Sequence, residues 1–173
     1  MVLTSFLTLF QMSEEKDSCK WIDPTIKKGR YVTDSIVASI MIACACVLYN
    51  DPFNSLVTAW WRMLSTVKKK LPKNLKIKEK VTKIAQIISH QGQCYKYKSN
   101  NFIHDLFLHG KSDCLGNTLM LYAILEVLEP NILNNVYILD VPKHILLVLY
   151  DKEQQNWIEF ETTDFDTFRN VHV

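Results

Sequence analysis

Three side chains in the second half of this chain have types and spacing suited to thiol chemistry. Cys114 lies in Lys-Ser-Asp-Cys-Leu-Gly-Asn-Thr, directly ahead of the apolar run 119–128. His144 opens the apolar run 145–150, and Glu161 lies in Trp-Ile-Glu-Phe-Glu-Thr-Thr. A thiol, a histidine and a carboxylate in that order can serve as nucleophile, base and orienter. No other part of the chain offers a comparable set.

The segment ahead of Cys114 explains why the thiol is of interest. Gly110-Lys111-Ser112-Asp113 reads as a turn rich in helix-starting residues, and residues 115–128 read as helix until Pro130 stops it. Cys114 is therefore expected in the first helical turn, where backbone N–H groups lack partners and the helix dipole is positive. Both features favour thiolate, the reactive form, and the same N–H groups can hold an oxyanion. Gly116 is expected to leave room for backbone or substrate close by. A free cysteine is more often a small buried hydrophobe, so the case rests on its downstream partners.

Those partners need strands. Residues 136–139, 144–150 and 156–161 form β-branched and apolar runs with short polar connections, which predicts an antiparallel sheet. With a turn over residues 152–155, Glu161 is expected to lie directly across the hairpin from His144. Glu159 is read as facing the other side and is the poorer orienter, with Asp164 as a fallback.

These residues carry a resemblance. The order Asp113-Cys114-Leu115-Gly116, helix, strand, Val141-Pro142-Lys143-His144, then Trp157-Ile158-Glu159-Phe160-Glu161-Thr162-Thr163 resembles the core of the transglutaminase-like, papain-related superfamily. Asn100 to Phe107 resembles the segment that leads into the cysteine in some members. The match covers roughly residues 95–165. It implies Cys114 as nucleophile, His144 as base and Glu161 as orienter, on a protein or peptide substrate and without a cofactor or metal. Such enzymes include transglutaminases, cysteine proteases and peptide N-glycanases. Most members have Asp where Glu161 stands, and an aromatic residue often stands where Ile145 does. A second oxyanion donor is implied upstream of the cysteine. Asn101 is the first candidate, with Asn100, Gln93 and His104 open.

The first half must support this core. Thr33-Asp34-Ser35 is expected to cap a helix over Ile36–Tyr49, and Asp51-Pro52 to begin another over Phe53–Val67 that Lys68-Lys69-Lys70 closes. Residues 76–90 carry Ile77, Val81, Ile84, Ala85 and Ile88 at helical spacing. Ile36–Tyr49 is too short to cross a bilayer and reads as a buried core helix, and Asp51, Pro52 and Arg62 argue against a membrane hairpin. The apolar N-terminus, Met1 to Phe10, lacks a basic leader region and reads as a packing or partner-binding arm.

Composition frames the whole. A chain of 173 residues, 48% hydrophobic and 22% charged with four glycines, fits one folded domain. The fold class expected is α+β: a mainly helical part over 1–92 packed on a core over 93–173 with a small antiparallel sheet. Net charge is +2, which gives no general case for nucleic acid. The lysine-rich stretch Lys68–Lys83, with Glu79 its only acid, reads as a solvated face or as a contact surface for an acidic partner. Five cysteines without paired spacing read as reduced thiols in a cytoplasmic protein. Two function classes remain at this stage: a thiol enzyme acting on amides, and a catalytically inactive binding module or adaptor on the same fold.

Overall fold

The computed structural model describes residues 33–90, 96–97, 103–162 and 168–171. The described chain is a mixed α+β structure, with helices through the first half and a small antiparallel sheet in the second.

Helix α1 spans Ile36–Tyr49. Ser35 caps it by accepting from the Ala38 N–H at 2.9 Å, and Asn50, in the left-handed region at φ 56°, ends it. Glu126 strengthens that start from a distant part of the chain. Its carboxylate accepts from Ser35 Oγ at 2.6 Å and from the Val37 N–H at 3.3 Å. Negative charge there suits the positive end of the α1 dipole. α1 buries Ala38, Met41, Ile42 and Ala45, one helical stripe, while Ile36, Val47 and Leu48 are exposed. The expectation of a buried core helix therefore holds for one side of it.

Helix α2 spans Phe53–Lys70 and helix α3 spans Ile77–His90. α2 turns Leu56, Trp60, Met63, Leu64 and Val67 inward, and the Trp60 indole donates to the Thr33 carbonyl at 2.8 Å. α3 buries Val81, Ile84, Ala85 and Ile88. The three lysines of the last α2 turn face water at the negative end of its dipole.

Two short strands follow that the sequence did not announce. β1 (Lys96–Tyr97) and β2 (Lys111–Ser112) pair in parallel on either side of helix α4 (Ile103–His109). Residues 111–112 read as part of a turn because a two-residue strand has no periodicity of its own; its partner defines it.

Helix α5, Cys114–Leu128, is the centre of the structure. It is apolar on nearly every side, and Gly116 to Leu121 and Ala123 to Leu125 are all buried. It packs on α1, α3 and α4 and against the sheet, which is the place for a helix without a polar face. Gly116 is explained by packing. A Cβ there would collide with Ser112 Oγ, so the room expected for backbone or substrate is filled by the β2 side chain.

The sheet has the order β3-β4-β5-β6: Val136–Val141, His144–Asp151, Asn156–Phe160 and Phe168–Val171, all antiparallel. Three strands were expected; β6 is the fourth. Val141 pairs with His144 across a two-residue turn, in which Pro142 precedes Lys143 at φ 65°. That combination suits a type II turn, with proline setting the first central residue. β4 is an inner strand with Leu146, Leu147, Val148 and Leu149 all buried, which accounts for its unbroken apolar run.

Candidate active site

Cys114 is the first residue of α5, as its sequence context predicts. Asp113 is the N-cap, and its carboxylate accepts from the Gly116 N–H at 3.0 Å. The Asn117 N–H reaches the Asp113 carbonyl at 3.0 Å. The N–H groups of Cys114 and Leu115 then have no acceptor within the helix, so both can bind an oxyanion. Cys114 itself is half-buried.

His144 is the first residue of β4, held by its pairing with Val141. Its Nε2 lies 2.7 Å from Glu161 Oε2. The two side chains are 28% and 27% exposed, so the pair is screened from water without being sealed off. A carboxylate can only accept, so the contact puts a proton on Nε2. In the neutral ring Nδ1 is then bare and able to take a proton, and it is the nitrogen left for a thiol.

The register corrects one expectation. Leu147 pairs with Phe160, and carrying that register one residue further sets Glu161 opposite Leu146. His144 is therefore diagonal to Glu161 rather than directly across, a separation that two long side chains can bridge. Glu159 is corrected too. It stands opposite Val148 and, two residues from Glu161, shares its face. Position along β4 sets it apart from His144: Val148 is about 13 Å further along the strand at ~3.3 Å per residue.

A buried polar cluster joins the two halves of the site. Thr162, next to Glu161, has its Oγ1 3.4 Å from the Cys114 carbonyl and 3.0 Å from Thr118 Oγ1. Thr118 Oγ1 lies 3.3 Å from the carbonyl of Ile145, the residue after His144. Asn117 Nδ2 donates to the Thr162 carbonyl at 2.9 Å. Asn117, Thr118 and Thr162 are all 0–1% exposed. The signal for them was present as Asn117-Thr118, a polar pair inside an apolar helix, and Thr162-Thr163 beside the carboxylate. Buried polar groups on an apolar helix call for partners.

The structure thus brings His144 and Glu161 into contact and ties the Cys114 backbone to the residue beside Glu161. Among the described residues no hydrogen bond joins the Cys114 thiol to the His144 ring. Asn101, Asn100, Gln93 and Asp164 lie outside the described residues, as do Cys19 and Cys94 and the apolar N-terminal arm. The other described thiols, Cys44 and Cys46, sit on α1. Burial pushes both upward from the ordinary thiol range, and the Asp51 charge adds to the effect at Cys46. Among the described residues no group of three or more His, Cys, Asp or Glu is placed to hold a metal, and no helix is long and apolar enough to cross a membrane.

Comparison with known proteins finds no matching family model, no matching curated protein and no matching solved structure.

Proposed function

We propose that this protein is a thiol enzyme acting on amide bonds of a protein or peptide substrate, on a transglutaminase-like, papain-related core. Cys114 is the nucleophile, His144 the base and Glu161 the orienter. The observation that carries the reading is the 2.7 Å contact between His144 Nε2 and Glu161 Oε2, which leaves Nδ1 as the basic nitrogen.

The chemistry follows from these groups. His144 Nδ1 takes the Cys114 proton as sulfur attacks the amide carbon, and the carbonyl oxygen becomes an oxyanion facing the Cys114 and Leu115 N–H groups. The C–N bond breaks, the amine leaves with the proton held by His144, and a thioester remains on Cys114. Water then gives hydrolysis or deamidation, and an amine gives acyl transfer; either nucleophile passes its proton to His144 as the thiol is released.

A second reading has its own support. The absence of a Cys114–His144 hydrogen bond also suits a binding module or adaptor that keeps the fold and does not use the thiol. In either case Lys68, Lys69, Lys70 and Lys73 are exposed, and among the described residues none enters an ion pair, which supports an acidic partner on that face. Reduced thiols fit a cytoplasmic setting.

Alkylation with iodoacetamide between pH 6 and 8, mapped by mass spectrometry, tests the enzyme reading. Cys114 should react faster than Cys19, Cys44, Cys46 or Cys94, and His144→Ala should remove the difference. A glutamine-containing peptide library with hydroxylamine as acceptor should yield hydroxamates that Cys114→Ala abolishes. Equal labelling of all cysteines, or Cys114 labelling indifferent to His144, favours the adaptor.

A further inference from the structure

We infer that Thr162, acting with Thr118, is the positioning residue that sets Cys114 against the His144–Glu161 pair. The inference deepens the thiol-enzyme reading and rests on it. Cys114, His144 and Glu161 are each next to the cluster or part of it. The Cys114 carbonyl is one acceptor, the Ile145 carbonyl beside His144 is another, and Thr162 follows Glu161. No other described side-chain hydrogen bonds link the first turn of α5 to both strand segments.

The proton count sharpens the role. Two hydroxyls carry two protons, yet three contacts are within reach: Thr118 to the Ile145 carbonyl, Thr162 to the Cys114 carbonyl, and the hydroxyls to each other. If Thr162 donates to Thr118, Thr118 donates to the Ile145 carbonyl and the Cys114 side is released. If Thr118 donates to Thr162, Thr162 donates to the Cys114 carbonyl and the Ile145 side is released. Making both carbonyl bonds at once would set lone pairs against each other across the 3.0 Å gap between the oxygens. Thr118 belongs to α5, so the helix stays tied to Thr162 in both states. The first state adds the Ile145 carbonyl of β4 and the second adds the Cys114 carbonyl, while the Asn117 amide keeps Thr162 in place throughout. The hydroxyls never reach solvent and touch no reacting atom, so their effect on chemistry is through geometry alone.

The test compares Thr162→Val, which keeps the shape and removes the hydroxyl, with Thr162→Ser, which keeps the hydroxyl. Two readouts are taken on the full chain: the Cys114 alkylation rate between pH 6 and 8, and the ¹⁵N-histidine spectrum for the hydrogen-bonded Nε2–H of His144. Thr162→Val should slow Cys114 alkylation about tenfold or more, since small misplacements of reacting groups carry large rate losses. It should also alter the His144 Nε2–H signal, and Thr162→Ser should restore both. A folded Thr162→Val protein with unchanged rate and unchanged His144 signal overturns the inference. If Thr162→Val does not fold, Thr118→Val and Thr118→Ser make the same comparison. A wild-type Cys114 no faster than Cys44 and Cys46 would remove the enzyme reading, and the His144 signal would then decide the positioning role alone.

Discussion

Glu161 holds His144 at 2.7 Å although the two residues stand diagonally, not opposite, across the β4–β5 hairpin. A diagonal contact depends on the length of both side chains. Glu161→Asp, one methylene shorter, should therefore loosen the ring, and Glu161→Gln should let the ring adopt the other tautomer. We expect Glu161→Gln to lower any amide turnover about 100-fold or more, the range of a disabled general base. Glu161→Asp should lie between that variant and wild type. Turnover in Glu161→Gln equal to wild type would remove Glu161 from the mechanism.

The buried thiols of α1 predict a loss of stability in alkali. Burial raises the Cys44 and Cys46 pKa above the ordinary thiol range, so above about pH 9 the unfolded chain releases protons that the folded chain retains. Unfolding free energy should then fall as pH rises through this window and be flat with respect to these groups below it. Urea titrations at pH 7, 9 and 10 should show the decline, and a double Cys44→Ala, Cys46→Ala variant should show a shallower one. Parallel slopes for the two proteins would contradict the prediction.

Glu126 caps a helix it does not belong to. Glu126→Ala should leave Ser35 Oγ and the Val37 N–H without their acceptor and destabilise the fold by about 1–2 kcal/mol. For a domain of this size that is a fall in Tm of roughly 2–8 °C, readable by circular dichroism. An unchanged Tm would mean that water replaces the carboxylate at no cost.

Gly116 and Ser112 should behave as a coupled pair. Gly116→Ala drives a methyl into Ser112 Oγ and should cost about 1–3 kcal/mol as an overpacked site. Adding Ser112→Ala removes the colliding oxygen, while Ser112 Cβ stays at an ordinary 3.4 Å. The double variant should recover most of the loss in a denaturant titration, and strict additivity of the two changes would refute the contact.

Much of the helical half was legible because its signals are local. Ser35 caps α1, Pro52 opens α2, and the three lysines close it, so the predicted limits of α1 match and those of α2 differ only at its end. The start of α5 at Cys114 was legible for the same reason: Asp113 is a strong cap. What escaped was set by partners far away in sequence. The hairpin register depends on how residues 151–156 close, where Gln155 takes φ 53° and Asn156 already pairs with Asp151, and apolar alternation alone does not fix that. β1 and β2 exist only through each other. The Asn117–Thr118–Thr162 cluster was invisible as a unit, since its members come from segments more than forty residues apart, with separations of 44 and 45.

The contacts of the site also differ in how far they reach along the chain, and that bears on the order in which the site assembles. His144 and Glu161 are 17 residues apart and belong to one hairpin, whereas the link from Thr162 back to Cys114 spans 48. Short loops close at a smaller entropic cost than long ones and so tend to form earlier. His144 and Glu161 can thus meet while α5 is still undocked, and Cys114 joins them last. Lesions in α5 docking should then appear first as a chain that folds its hairpin normally and carries an idle thiol.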